Sequence, residues 1–470
     1  MICLVNPFIT SVERYGSQID DIGGHQMPLG IYYLGAQLIE KGFQVEVVDA
    51  EATHIRHEDI IHFLMEKQIK ILGITSTTVA FRNARSLAEM ARKQIPELQI
   101  VIGGPHMTAM PEKTMITRAF DFGILKEGEI ALSKLVEFVL CKKGTISEIP
   151  NLYYYEKDQL IQNNEINPIK NMDSIPFPAR QLSKDISIYK PPVGAYRKNP
   201  VVSMITSRGC PYQCIFCDNN TFGRKTRFFS AEYVVEEIKD VIKNYGAKEI
   251  AFLDDTFVID KKRLYKIFEL LNNENIKFPW TCMTRVNNVD YEILKFMKDN
   301  GCWQIRFGIE SGNQEVLDFI KKGITLKQVR DVTKWCRELK MVTTGFFMIG
   351  HHIDTKDTID DTIKFALSLP LTDITATINT PIPGTESYNK ARNYGTYDEK
   401  DWTSLNYWTP IFVPKELSRE YMLEKQSEIY RRFYIRPQII YRQLLKIRSL
   451  KTLLSLVKSA MLGLSFVKNK

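Results

Sequence analysis

Cys210, Cys214 and Cys217 lie within the stretch SRGCPYQCIFCDN, Ser207 to Asn219, in a chain of 470 residues that holds only eight cysteines. The N-terminus, MICLVNPFIT, has neither a basic leader nor a small-residue cleavage site, so the expected compartment is cytoplasmic, where thiols stay reduced. Under those conditions a tight cysteine group reads as a metal site rather than a disulfide framework. Three thiolates select zinc, copper(I) or an iron–sulfur centre. A structural zinc ion wants four ligands, and neither a nearby histidine nor a second C-x2-C supplies the fourth. Three ligands on a four-iron cluster instead leave one iron open to substrate or cofactor.

Other residues able to do chemistry fall at the ends of apolar runs. Asp254 and Asp255 close FLDDTF, Arg285 follows in TRVN, Glu310 and Ser311 close RFGIESG, and INTPIPGTESY and the pair His351-His352 come later. Each also has a plain structural reading: a helix cap, an arginine clamp, a surface ion pair, a tight turn or a tolerant helix entry. Their recurrence at successive strand ends is what favours a site. In the first 140 residues the strand ends carry Asn6-Pro7, Thr75 to Thr78, Gly103-Gly104-Pro105-His106 and Glu127-Gly128-Glu129. Small residues and glycines there let bare backbone amides approach a phosphate-bearing or nucleotide-like ligand. No G-x-G-x-x-G follows the first strand, so the dinucleotide fingerprint is missing.

The elements that must carry these residues follow from periodicity. Residues 1–140 alternate Val/Ile-rich runs with helical patterns, which predicts a doubly wound, flavodoxin-type parallel sheet. Residues 141–195 read as a linker containing strand, turn and strand. Residues 196–400 resume the alternation with about six strands, a complete or partial α/β barrel whose strand C-termini would hold the chemistry. Residues 401–470 read as a helical, basic extension. Residues 431–470 hold ten Lys or Arg and no Asp or Glu, so the chain's net +8 belongs to this tail and the remainder stands at −2. Leu450, Leu453, Leu454, Val457, Met461 and Leu464 recur there at helical spacing. A helix packed on the barrel is the default, an interfacial membrane helix the next reading, and a nucleic-acid surface the last.

The spacing C-x3-C-x-aromatic-C, with Phe216 before Cys217, after a first barrel strand resembles the signature of the radical S-adenosylmethionine (SAM) enzymes. The resemblance implies a 4Fe-4S cluster on Cys210, Cys214 and Cys217 whose open iron chelates SAM and yields a 5′-deoxyadenosyl radical. It implies SAM contacts at Asp254 and Asp255 (amino group), Glu310 and Ser311 (ribose and carboxylate) and Arg285 (carboxylate). Together with PLGIYYLGAQL, GITSTTV, GGPHMTAMP and EGE, the order of motifs resembles the cobalamin-binding radical SAM enzymes along nearly the whole chain. That implies Ser76, Thr77, Gly103, Gly104 and Pro105 along the nucleotide tail of cobalamin. None of the seven histidines stands in D-x-H-x-x-G, so a cobalt-ligating histidine from that motif is not expected, and His25 and His106 remain as contacts to examine. The implied reaction is C-methylation of a small or lipid-like substrate, with a reducing partner such as flavodoxin or ferredoxin and peripheral membrane contact through 431–470. The alternatives are a ring-forming oxidation like that of the anaerobic magnesium-protoporphyrin monomethyl ester cyclase, a regulator without turnover, and a zinc-containing tRNA-modifying protein.

Overall fold

The structure is a computed structural model that describes residues 1–16, 24–165, 168–192, 194–399 and 402–445. Five parallel strands, β1 (Ile2–Asn6), β2 (Val45–Asp49), β3 (Ile71–Thr75), β4 (Gln99–Gly103) and β5 (Phe122–Ile124), are arranged β2-β1-β3-β4-β5. This is the flavodoxin-type order, with its switch point between β1 and β3. Alternate residues of β1 face opposite layers. Ile2 and Leu4 join the core that continues into the second half of the chain, while Cys3 and Val5 pack with Ala84, Leu87 and Ala88 of the helix Phe81–Gln94.

The segment expected as a linker contributes to this sheet. β6 (Leu152–Glu156) pairs antiparallel with β5, and β7 (Gln159–Gln162) with β6. Lys157 and Asp158, both at positive φ, make the two-residue turn between them, a left-handed pair whose twist matches that of the flanking strands.

The second sheet runs β8 (Val201–Met204), β11 (Glu249–Phe252), β12 (Trp280–Thr284), β13 (Cys302–Glu310), β14 (Val342–Ile349) and β15 (Asp373–Ile378), all parallel and in sequence order. Its end strands do not pair with each other, so the barrel is partial. Ser230, Asp260, Asp290, Thr325 and Thr355 each accept a backbone N–H as the N-cap of an outer helix. These caps fix where the crossover helices start. Between β8 and β11, the short strands β9 (Ser207–Arg208) and β10 (Arg227–Phe228) pair antiparallel and close the root of the cysteine loop.

After β15, β16 (Gly395–Tyr397) and β17 (Phe412–Pro414) form a ribbon, and the helix Arg419–Tyr434 lies on β15. Met422, Ile429 and Phe433 are fully buried beneath it. Gln426 Nε2 donates to Ala376 O at 2.9 Å and Ala376 N donates to the Tyr430 hydroxyl at 2.9 Å. The helix therefore caps the barrel's unpaired strand edge, a tighter role than that of an appended extension. Among the described residues no helix is long and apolar enough to cross a membrane. The apolar stripe from Leu450 to Leu464 lies outside the described residues.

Candidate active site

The cysteine loop leaves β9 through Gly209, whose φ is +91° and whose Cβ, if present, would lie 2.6 Å from Lys225 O. Only glycine takes that turn without displacing backbone. Cys214 is buried, Cys210 half-buried and Cys217 exposed. The turn between Cys214 and Cys217 is stitched to two helix ends of the barrel: Ile215 N donates to Ile320 O at 3.1 Å, and Ser387 N donates to Ile215 O at 2.9 Å. Arg285, at the end of β12, stacks on Tyr212 at 3.7 Å and donates to Cys214 Sγ at 3.4 Å. Its other donors go to Asn287 Oδ1 and Lys322 O. Cys214 is pulled down to about 6 by the hydrogen bond from Cys217, with the Lys322 and Arg285 charges adding to it. The metal-ligating form of a thiol is the thiolate, so this environment prepares a ligand.

Lys322, which the sequence reading passed over, pairs with Glu310 at 2.7 Å, both side chains nearly fully buried. Glu310 sits at a bulge of β13 with φ +72°, which carries its carboxylate to Lys322. Its neighbour Ser311 is turned aside: its hydroxyl meets Thr362 Oγ1 at 3.0 Å and accepts from Asn313 N at 3.1 Å, bracing a helix entry.

The two aspartates separate. Asp254 is wholly buried and accepts from Thr206 N, Thr206 Oγ1 and Ser207 Oγ, with Arg263 nearby. Its oxygens are committed to these donors inside the strand layer. Asp255 faces the cavity described below, and burial followed by the Asp254 charge raises its carboxyl above the ordinary value. The Arg285 guanidinium is engaged with the cysteine loop and the Lys322 carbonyl. His351 and His352 are buried beside that loop, with the His351 ring 6.0 Å from Phe216. Burial, then the His352 and Lys322 charges, pushes His351 down to about 3, so it is neutral. His352 Nε2 lies 3.0 Å from Ser387 O.

A cavity of about 640 Å³ separates the two sheets. On one side it meets Gly73, Thr75, Thr77, Gly103, Gly104 and Pro105; on the other it meets Asp218 and Phe222 of the cysteine loop, Leu253, Asp255 and Tyr407. Gly104 has φ +92°, and its Cβ would lie 2.7 Å from Thr75 Oγ1. A Cβ on Gly30, also in the wall, would meet nothing within 4 Å and would project into the space. Ser76 is turned away, its hydroxyl donating to Thr77 O at 2.8 Å. No histidine is among the lining residues. His106 is buried behind the wall, its ring 4.1 Å from Phe81 and 4.8 Å from Trp402 and its Nδ1 3.3 Å from Thr78 Oγ1. His25 lies outside the lining as well.

The residues present fit the implied groups. Cys210, Cys214 and Cys217 are free thiols on one short loop, the donor set a cluster takes. A wide cavity with bare glycine backbone on one wall and a mixed apolar and acidic wall opposite suits a large macrocycle with amide arms. A flavodoxin-type sheet opening onto a three-cysteine loop on a partial parallel barrel is the arrangement that the resemblance to cobalamin-binding radical SAM enzymes implies.

The comparisons agree. The Radical SAM superfamily model matches residues 204–366, and the B12 binding domain model matches 19–136. An uncharacterized methyltransferase of Pyrococcus horikoshii is 33% identical over 90% of this chain and 91% of its own. The anaerobic magnesium-protoporphyrin IX monomethyl ester cyclase of Cereibacter sphaeroides is 27% identical over 91% of this chain and 70% of its own. In fold, the chain is similar to the radical SAM methyltransferase TsrM of Kitasatospora setae, solved with cobalamin and a [4Fe-4S] cluster. That match has a TM-score of 0.65 at 17% identity and covers 83% of this chain and 74% of that one. The chain belongs to the cobalamin-binding radical SAM family. It is a radical SAM enzyme whose cofactors are a 4Fe-4S cluster, SAM and cobalamin.

Proposed function

We propose that Cys210, Cys214 and Cys217 hold the cluster, that cobalamin occupies the cavity between the sheets, and that the enzyme methylates an unactivated carbon of a small, largely apolar substrate bound between them. One observation carries this reading: a single cavity is walled by the strand ends of the first domain and by the cysteine loop with Asp255. When bound, SAM on the cluster supplies a carbon-centred radical chemistry and cobalamin supplies a methyl group. Everything else is the work of the chain.

The Cys217 hydrogen bond, then the Lys322 and Arg285 charges, hold Cys214 as thiolate. Asp255, facing the cavity, receives the SAM amino group, and Glu310 with Lys322 borders the same ligand. Asp254, Ser311 and Arg285 act behind them as the frame. Thr77, Gly103, Gly104 and Pro105 run along the cobalamin tail, with Ser76 shaping their turn. Ile205, Phe222, Leu253, Ile382 and Leu405 give the substrate an apolar wall, which orients it and excludes water from a reactive radical. The cobalamin domain comprises 1–140 with the β6–β7 hairpin, and the radical SAM barrel 196–400. A reducing partner such as flavodoxin or ferredoxin supplies electrons, and 431–470 contacts membrane surfaces, which co-sedimentation with anionic vesicles tests.

The deciding experiment offers the anaerobically reconstituted enzyme methyl-labelled SAM and candidate lipids or porphyrins. Label in the recovered product is the expected result. Deoxyadenosine with an altered but unlabelled product would overturn methylation in favour of oxidation or ring closure.

A further inference from the structure

Four charged side chains meet where the first domain touches the root of the cysteine loop, and nothing in the cofactor chemistry above uses them. Glu127 and Glu129 follow β5 in the first domain; Arg208 and Arg227 sit in β9 and β10. Arg208 Nη1 donates to Glu127 Oε1 at 2.8 Å, and Arg208 Nη2 meets Glu129 Oε1 at 2.7 Å. Arg227 Nη1 donates to Glu127 Oε2 at 2.8 Å and to Ile169 O at 2.8 Å. All four side chains are at most 8% exposed, and their two positive and two negative charges cancel.

The network spans two domains instead of bracing one. A planar guanidinium forked across two carboxylates fixes angle as well as distance, which a lysine cannot do. Sliding the domains would strand unpaired charges in a buried setting, which is strongly disfavoured. The linkage is also short. Arg208 is separated from Cys210 only by Gly209, whose crowded backbone leaves no slack. On the other side Glu127, Gly128 and Glu129 are themselves part of the cavity wall, as is Arg208. The Arg208 guanidinium further lies 5.0 Å from the ring of Tyr33 in the first domain and 5.3 Å from that of Phe222 in the cysteine loop.

We infer that Glu127, Glu129, Arg208 and Arg227 form a positioning clamp that sets the distance and orientation between the cobalamin and the cluster, so that both address one substrate carbon. The inference rests on the site assignment proposed above. The clamp acts through the elements it joins; none of its members is a catalytic residue.

The test uses the full-length chain, anaerobically reconstituted and reduced so that cob(II)alamin and the cluster are both paramagnetic, and reads their dipolar coupling by electron paramagnetic resonance. The wild type is expected to show one well-defined coupling. The charge-balanced double variant Arg208→Met with Glu129→Gln leaves the Arg227–Glu127 pair in place and is expected to keep both cofactors while losing the resolved coupling to a broad distribution. A double variant with the wild-type coupling overturns the clamp. Should that variant lose a cofactor, Arg208→Lys, which keeps the charge but not the fork, is read instead: partial broadening supports the clamp and an unchanged spectrum overturns it. A wild type lacking either signal overturns the site assignment, and the clamp with it.

Discussion

Asp254 spends its carboxylate on Thr206 and Ser207, whereas Asp255 turns to the cavity, so substitution should separate stability from ligand binding. Asp254→Asn sets an amide donor against donors and should cost about 1–3 kcal/mol in chemical denaturation. Asp255→Asn should leave that midpoint in place and weaken SAM binding measured by calorimetry. The Lys322–Glu310 pair is buried on both sides, so Lys322→Met strands a carboxylate and should destabilise by about 3–5 kcal/mol, much of it recovered by adding Glu310→Gln. Neither role was legible in the sequence. Adjacent residues at a strand end point to opposite faces, so FLDDTF alone does not say which aspartate is committed inward, and a lysine in KKG reads as solvent-facing until a bulge brings Glu310 to it. Burial holds His106 down to about 3. Between pH 6.5 and about 3 the unfolded chain therefore takes up a proton that the folded chain refuses, and this part of stability is lost as pH falls. Denaturation curves of the wild type and His106→Phe should accordingly move in the variant's favour by on the order of 1 kcal/mol per pH unit below 6.5.

At the scale of elements, the cysteine loop depends on its β9–β10 root. Gly209→Ala places a Cβ 2.6 Å from Lys225 O and 2.9 Å from Gly223 O at a left-handed φ. The expected outcome is a protein whose first sheet still binds cobalamin but whose iron content falls sharply, read by metal analysis. The helix over β15 is similarly specific: Phe433→Ala opens a cavity beneath it and should cost about 3–5 kcal/mol by urea unfolding. The strands themselves were legible because Val/Ile runs and capped helices alternate regularly. The pairing of the 152–162 hairpin was not, since strand, turn and strand are local signals whereas the antiparallel contact of Leu152 with Ile124 is not. The C-terminal helix was expected, but not its seat on β15, because an amphipathic pattern shows that a helix packs but not against which edge.

For the whole molecule, residues 402–409 tie the two halves together. Trp402 packs on His106 and Phe81, Asn406 Nδ2 donates to Glu13 O at 3.1 Å, and Ile378 N of the barrel donates to Tyr407 O at 2.8 Å. With the Arg208–Glu127–Glu129 network, which also borders the cavity, two separate sets of contacts join the halves, and this closure is what turns two ordinary folds into one site. The sequence order of motifs implied both cofactors, but only the packing brings the cysteine loop and the bare strand ends to the same space. The most direct measurement is 5′-deoxyadenosine formation from SAM by the anaerobically reconstituted, reduced chain, compared with Cys214→Ala. The account predicts deoxyadenosine from the wild type and none from the variant; intact SAM in both, or equal cleavage by both, would contradict it.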